Sequence, residues 1–88
     1  MRVDLALKRL LLVKSRTEGK EACDVGAVFV NGVRAKAASE INPGDRLRID
    51  YAERTLEIEL TAGISKNKSV SRAEAKTLYR VLRDERAT

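Results

Sequence analysis

The cations of the first quarter of the chain are the side chains best suited to chemistry. Residues 1–20 contain six Lys and Arg side chains and two acidic ones, whereas residues 21–88 contain twelve cations and eleven anions. The six cations are Arg2, Lys8, Arg9, Lys14, Arg16 and Lys20. A surface that is charged only for solubility mixes its signs more evenly. This asymmetry therefore predicts an anionic partner.

Several of these cations surround the expected start of a helix. Ser15 and Glu18 have the spacing of a capping box, which places Ser15 at the helix N-terminus. That end of a helix carries partial positive charge and free amides, and both attract phosphate. Lys14 and Arg16 flank Ser15, and Lys20 lies one turn after Arg16 on the same face. Arginine binds phosphate through a planar fork of N–H groups and lysine as a mobile point charge. The pattern predicts a phosphate-binding face.

Ordinary surface ion pairs are the alternative interpretation of the same residues. Asp4 and Lys8 are four residues apart, and Glu21 is close in sequence to Arg16 and Lys20. Exposed pairs of this kind are worth less than about 1 kcal/mol each. Two acids cannot neutralise six bases, so ion pairing does not account for the whole surplus.

Other residue types restrict the chemistry further. The chain has no histidine and a single cysteine, Cys23, which argues against zinc clusters, disulfides and histidine acid–base catalysis. Cys23 lies in a helical stretch, where we expect a buried thiol. We therefore expect no enzymatic activity, no metal and no cofactor. No apolar run approaches the about eighteen residues that cross a bilayer, and residues 10–13 are too few for a signal-peptide core. The expected location is the cytoplasm.

The three aromatic residues indicate which kind of nucleic acid is bound. Phe29, Tyr51 and Tyr79 each occupy an apolar-periodic position, which predicts that all three lie in the core. Proteins that bind single strands usually interleave stacking aromatic residues with their cations. The sequence therefore favours a folded RNA that is recognised through its backbone shape.

The elements that position these residues indicate a single α+β domain over residues 1–88. We expect helices at residues 3–13 and 15–25, the second ending at Gly26. A short strand is expected at residues 28–30, followed by an Asn31-Gly32 turn and then Val33. Further strands are expected at residues 46–51 and 55–61. Residues 61–70 read as a polar loop, and a second capping box at Ser71 predicts a final helix that runs to about Glu85. The fold is then an N-terminal angled helix pair on a small antiparallel or mixed sheet of about four or five short strands, plus a C-terminal helix.

Gly19 is out of place inside the expected second helix. A glycine there costs about 1 kcal/mol relative to alanine. Close approach of another backbone would explain why the position lacks a side chain.

Five motifs in order resemble the ribosomal-protein-S-four-like RNA-binding domain family. They are Arg2-Val3-Asp4, Lys14-Ser15-Arg16-Thr17, Gly26-Ala27-Val28-Phe29-Val30-Asn31-Gly32, Lys36-Ala37-Ala38-Ser39 and Pro43-Gly44-Asp45, and together they cover roughly residues 2–50. The chain departs from the family pattern at Leu5, Ala6, Gly19 and Ala27.

The resemblance implies an RNA-binding site and partners. Arg2, Asp4 and Arg16 match the most characteristic family positions, with Asp4 expected to orient Arg2 or Lys8. The full candidate set is Arg2, Asp4, Lys8, Arg9, Lys14, Ser15, Arg16, Thr17, Lys20, Asn31 and Lys36. As a lone domain with an added hairpin and helix, the chain looks like stand-alone ribosome-associated quality-control factors and related small heat-shock RNA-binding proteins.

For such a factor, the implied partners are rRNA and peptidyl-tRNA on a stalled, split large ribosomal subunit, together with a quality-control protein that extends the nascent chain. The free protein is expected to be a monomer. Two other functions remain open. The domain could act in trans as the RNA-targeting module of an RNA-modifying enzyme, or it could bind proteins and use its charge for solubility.

Overall fold

A computed structural model describes residues 1–64 and 71–86 of the chain. The elements are α1 (Val3–Arg9), α2 (Arg16–Asp24), β1 (Val28–Val30), β2 (Val33–Arg34), β3 (Arg46–Tyr51), β4 (Arg54–Leu60), α3 (Arg72–Ala75) and β5 (Tyr79–Arg86). The α+β fold class is confirmed, with two helices on one side of an antiparallel sheet.

The first helix ends about a turn earlier than its apolar pattern predicts. Leu11 adopts a left-handed backbone with φ of 59°. Its amide donates to the Lys8 carbonyl, and the Leu12 amide donates to the Leu7 carbonyl, which together form a Schellman cap. Leucine rarely adopts this conformation. Because no glycine stands at this position, the sequence does not indicate that the helix ends here. The prediction of a helix to residue 13 is therefore wrong.

The second helix begins and ends as predicted. The Ser15 hydroxyl accepts a hydrogen bond from the Glu18 amide at 3.1 Å. At the other end Gly26 has φ of +78°, and the Gly26 and Ala27 amides close a second Schellman cap. Here the capping residue is glycine, which adopts a positive φ without steric cost.

The sheet has the strand order β2-β1-β3-β4-β5, and every neighbouring pair is antiparallel. The β1–β2 hairpin turns at Asn31 and Gly32, whose φ angles are 51° and 83°, as the dipeptide predicts. The strands predicted at residues 46–51 and 55–61 are confirmed within one residue of their observed bounds.

The C-terminal helix is confirmed at its start but wrong in its extent. The Ser71 hydroxyl caps α3 by accepting from the Glu74 amide at 3.1 Å, yet the helix ends at Ala75. Residues 79–86 form β5 along the outer edge of β4 instead of continuing to Glu85 as helix. The local pattern is helical, but pairing with the otherwise open edge of β4 overrides it. Residues 65–70 of the predicted loop lie outside the described residues.

The core lies between the helix pair and one face of the sheet. Its buried side chains are Val3, Ala6, Leu7, Leu10, Val13, Cys23, Val28, Ala35, Ile41, Leu47, Ile49, Leu56, Ile58 and Leu60. Because neighbouring strand residues point to opposite faces, Leu47 and Ile49 face the helices while Arg46 and Arg48 face away. The sheet therefore presents an outer face that the helices do not cover.

Candidate nucleic-acid interface

A buried carboxylate joins the two helices. Asp4 is 3% exposed and is the one buried charged residue of the described chain. Its Oδ2 atom accepts hydrogen bonds from Arg2 Nη2 and from Arg16 Nε, each at 3.3 Å, and Arg2 Nε lies 3.2 Å from Oδ1. The expectation that Asp4 orients Arg2 is confirmed, but its second partner is Arg16 of α2 rather than Lys8.

Backbone contacts fix the position of Asp4. The Val3 amide donates to the Ser39 carbonyl at 2.8 Å, and the Asp4 amide donates to the Ala37 carbonyl at 3.2 Å. The loop at residues 37–39 thus satisfies amides that a helix start leaves free. Packing and backbone hydrogen bonds, including one from the Leu5 amide to Asp4 Oδ1 at 2.8 Å, therefore fix the carboxylate that the two arginines contact.

Gly19 lets α2 approach the carboxylate. A Cβ atom at Gly19 would lie 2.9 Å from the Asp4 carbonyl oxygen and 3.5 Å from the Asp4 Cα. The expected close backbone approach is confirmed, and it lies at the level of the Arg2–Asp4–Arg16 cluster. The glycine therefore sets the distance at which Arg16 reaches across to α1.

The arginines remain available to a ligand although both contact Asp4. Their side chains are 47% and 49% exposed, whereas that of Asp4 is 4% exposed. Two cations share one anion, so the cluster keeps a net positive charge at the surface. A guanidinium has five N–H donors in a planar fork, and a carboxylate that binds at one side leaves donors for phosphate. The cluster therefore has the donors and the net positive charge that an anion-binding site requires, and its binding of RNA stays a prediction.

Lys20 of α2 and Lys36, which follows β2, are two further exposed cations. Lys20 is exposed one turn after Arg16, and Lys36 precedes the Ala37 carbonyl that binds the Asp4 amide. Lys36 also lines a surface pocket of about 440 Å³ with Cys23 of α2. We call the set Arg2, Asp4, Arg16, Lys20 and Lys36 the helix-pair face. Its members come from both helices and from the segment that follows β2.

Three predicted site residues lie in or just after the turn that joins α1 to α2: Lys14, Ser15 and Thr17. Ser15 is the N-cap of α2, with its hydroxyl engaged by the Glu18 amide, and Thr17 is exposed in the first turn. Lys14 lines a different groove, next to Tyr51 and α3. Lys14 therefore lies close in sequence to Arg16 but faces another surface feature.

Lys8 and Arg9 occupy the last turn of α1. Cations there stabilise the negative end of the helix dipole. Lys8 is exposed, and Arg9 is half-buried. Their role as RNA contacts stays a prediction.

Asn31 has a structural role in the turn between β1 and β2. Its side-chain amide donates to Asp45 at 3.1 Å, and its side-chain oxygen accepts from the Arg46 amide at 2.9 Å. These bonds tie the turn to the start of β3. Its role as an RNA contact likewise stays a prediction.

Arg72 and Lys76 are exposed cations that the sequence reasoning did not select. Both line the groove that also contains Lys14. Their spacing of four residues on a predicted helix was the available signal.

Cys23 is buried as expected, at 2% exposure. Burial raises the pKa of its thiol, with smaller contributions from the Asp4 and Asp24 carboxylates. Residues 1–64 and 71–86 contain no group of three His, Cys, Asp or Glu side chains placed to hold a metal ion. Across the same residues, no helix has the length and apolar character needed to span a membrane.

Comparison with known proteins places this geometry in a family. The family model described as S4 domain matches residues 1–47, which include every member of the helix-pair face. A protein of Halalkalibacterium halodurans named RQC P-site tRNA stabilizing factor is 39% identical over 97% of this chain and 93% of its own length. The Bacillus subtilis protein of the same name is 33% identical over 98% of this chain and 96% of its own length.

A solved structure supports the fold over nearly the whole chain. The structure of Vibrio cholerae heat shock protein 15, described as trimeric, superposes with a TM-score of 0.82 at 23% identity. The match covers 92% of this chain and 80% of that one. The chain belongs to the S4 domain family, in the group whose members are named RQC P-site tRNA stabilizing factor.

Proposed function

We propose that this protein binds large-subunit rRNA and P-site peptidyl-tRNA on stalled, split large ribosomal subunits. It steadies the tRNA while a quality-control partner protein extends the nascent chain. The protein acts in the cytoplasm without catalysing a reaction. The names of its relatives, which refer to P-site tRNA, support the tRNA as one ligand.

The observation that carries this proposal is the shared carboxylate of Asp4. It contacts both Arg2 and Arg16 while each arginine stays about half exposed. A rigid pair of guanidiniums suits a phosphate backbone of defined shape better than a flexible tail of equal charge. Folded RNA presents such a backbone.

The mechanism is positioning. Phosphate contacts fix the register of a protein on a nucleic acid, and a protein that touches two RNAs at once restrains both. The helix-pair face supplies the positive charge. Val3 and Leu7 of α1 are buried in the core, and this packing makes the face rigid. No bond is made or broken in this role.

Sedimentation of a cell lysate tests the proposal. We expect the tagged full chain to travel with free large subunits, at a higher level when translation is stalled, and to be depleted from intact ribosomes. The Arg16→Glu variant should remain at the top of the gradient. Wild-type protein that stays at the top, or that travels with a single enzyme instead of ribosomal particles, would contradict the proposal.

A further inference from the structure

A second surface feature lies beside the N-terminus of α2, away from the buried carboxylate. It is an open groove of about 630 Å³ between the turn that joins α1 to α2 and the segment from α3 to the start of β5. This volume falls within the range of roughly 300–1,000 Å³ that small-ligand sites occupy. Leu10, Val13 and Ala75, all buried, form part of its lining. The groove therefore has an apolar base that is large enough for a planar ring.

Three cations line this groove. Lys14 comes from the turn, and Arg72 and Lys76 come from opposite ends of α3, all exposed. Glu18 is the single acidic residue among the described lining residues. The groove is therefore positively charged at its edges and apolar at its base. A ligand that combines flat apolar surface with negative charge matches both properties.

Two tyrosines give the groove aromatic walls. Tyr51 and Tyr79 are half-buried, and both line it. The Tyr51 hydroxyl donates to the Leu12 carbonyl at 2.7 Å, which fixes the ring against the turn. The prediction that both rings belong to the core is correct only in part, since each is partly buried against the core and also lines the groove. Strand β5, which the sequence did not predict, brings Tyr79 to this place.

We propose that this groove binds one or two unpaired RNA nucleotides, with bases against Tyr51 and Tyr79 and phosphates at Lys14, Arg72 and Lys76. Stacking on aromatic rings beside cations is how proteins hold single-stranded RNA. An acidic peptide would satisfy the cations but would leave the aromatic walls without a planar partner. Because Lys14 is two residues from Arg16, one RNA can contact the groove and the helix-pair face together. The inference rests on the proposed function in taking RNA as the ligand, and it adds an unpaired segment to the folded one.

Tyrosine fluorescence provides a direct test. The chain has two tyrosines and no tryptophan, and both tyrosines line the groove, so its intrinsic emission reports on this site. Titration of the full chain with hexauridylate should quench the emission, because a stacked base deactivates the excited ring. If two or three phosphates are bound, log K should fall against log salt with a slope of roughly −1.4 to −2.

Variants assign the binding to particular side chains. Tyr79→Leu should weaken hexauridylate binding about tenfold or more, while Tyr79→Phe, which keeps the ring, should stay within about threefold of wild type. The double variant Arg72→Gln with Lys76→Gln should lose about tenfold as well. The matched control, Arg80→Gln with Arg83→Gln, removes the same charge from β5 outside the groove lining and should bind as wild type.

The possible outcomes separate the groove from the proposed function. No quenching by hexauridylate, equal losses in the Arg80 and Arg83 control, or equally tight binding of a hexaglutamate peptide would each overturn the groove assignment. Arg16→Gln should weaken binding to large subunits far more than it weakens hexauridylate binding. Quenching that persists in a protein that fails to bind large subunits would contradict the proposed function but would support the groove.

Discussion

The helix-pair face and the outer face of the sheet both carry arginines, but acids meet them in different ways. On the outer sheet face, Arg46 and Arg48 of β3 lie opposite Glu59 and Glu57 of β4, and Arg80 and Arg83 of β5 lie opposite the same two glutamates. Arg80 contacts Glu59 at 2.9 Å. On the helix-pair face, two arginines share the single buried Asp4.

We infer from the difference that the placement of acids, more than the count of cations, determines which face can bind an anion. Each outer-face arginine lies beside an exposed or half-exposed acid, and Arg48 also stacks on the Phe29 ring, 4.0 Å from its centroid. Such cross-strand pairs stabilise the sheet by a few tenths of a kcal/mol to about 1 kcal/mol each. Asp4, by contrast, is covered by protein and directs its partners to solvent.

The largest effect should follow from removing both arginines of the helix-pair face. Arg2→Gln with Arg16→Gln deletes two charge-assisted contacts, which together are worth about 3 kcal/mol or roughly 100-fold in affinity for large subunits. Arg80→Gln with Arg83→Gln makes the same change of charge on the outer sheet face and should alter the affinity less than about threefold. Filter binding to purified subunits compares the two. Equal losses would mean that total charge, and not its placement, drives binding.

Asp4→Asn separates positioning from charge. The change makes the protein more positive, so a purely electrostatic account predicts tighter binding. We expect binding about tenfold weaker, because the arginines lose the carboxylate that orients them. Glu59→Gln raises the net charge equally on the outer sheet face and should leave binding unchanged or slightly stronger. Tighter binding of Asp4→Asn would refute the positioning role.

Much of the helix-pair face could be predicted from sequence, because its signals are local. Ser15 and Gly26 bound α2 through well-known capping chemistry, and Gly19 indicated a close approach before the partner was known. The link from Asp4 to Arg16 could not be derived from spacing, since it depends on how the two helices meet. The end of α1 was missed because a leucine takes the position that usually belongs to glycine.

The C-terminal part was harder to predict because its structure depends on distant residues. Tyr79, Leu82 and Glu85 fit a helical pattern and have side chains that helices accept. The strand forms because seven residues of β4 pair with residues of β5, and a bulge in β5 skips Leu82. Pairing between residues 19 to 32 positions apart leaves no local trace, so the groove beside Tyr79 was also not predicted.

Gly19→Ala tests the close approach that assembles the helix-pair face. Helix propensity alone would stabilise the protein by up to about 1 kcal/mol. Because the new Cβ would meet the Asp4 carbonyl oxygen at 2.9 Å, we expect a net destabilisation of about 1–2 kcal/mol. Urea unfolding measures the change, with the exposed position Glu21→Ala as the control for propensity. A stabilised Gly19→Ala protein would show that the helices stand further apart.

The smallest expected effect is a dependence of stability on alkaline pH. Burial raises the pKa of the Cys23 thiol above its ordinary value of 9.0, and the negative charges of Asp4 and Asp24 raise this pKa further. The folded protein therefore holds this proton more tightly than the unfolded chain, so its contribution to stability is complete below pH 9 and is lost as the pH rises through the raised pKa. Urea midpoints should begin to fall above pH 9, and Cys23→Ala should flatten that fall. A midpoint that rises with pH in this range would contradict the assignment.

The salt dependence of binding to large subunits tests the central claim most directly. If the helix-pair face and its neighbouring cations neutralise about four to six phosphates, log K should fall against log salt with a slope of roughly −3 to −5. The Arg2→Gln, Arg16→Gln variant should show a slope shallower by about two, because two phosphate contacts are lost. An affinity that does not change with salt, or a double variant with the wild-type slope, would show that these arginines do not bind the RNA backbone.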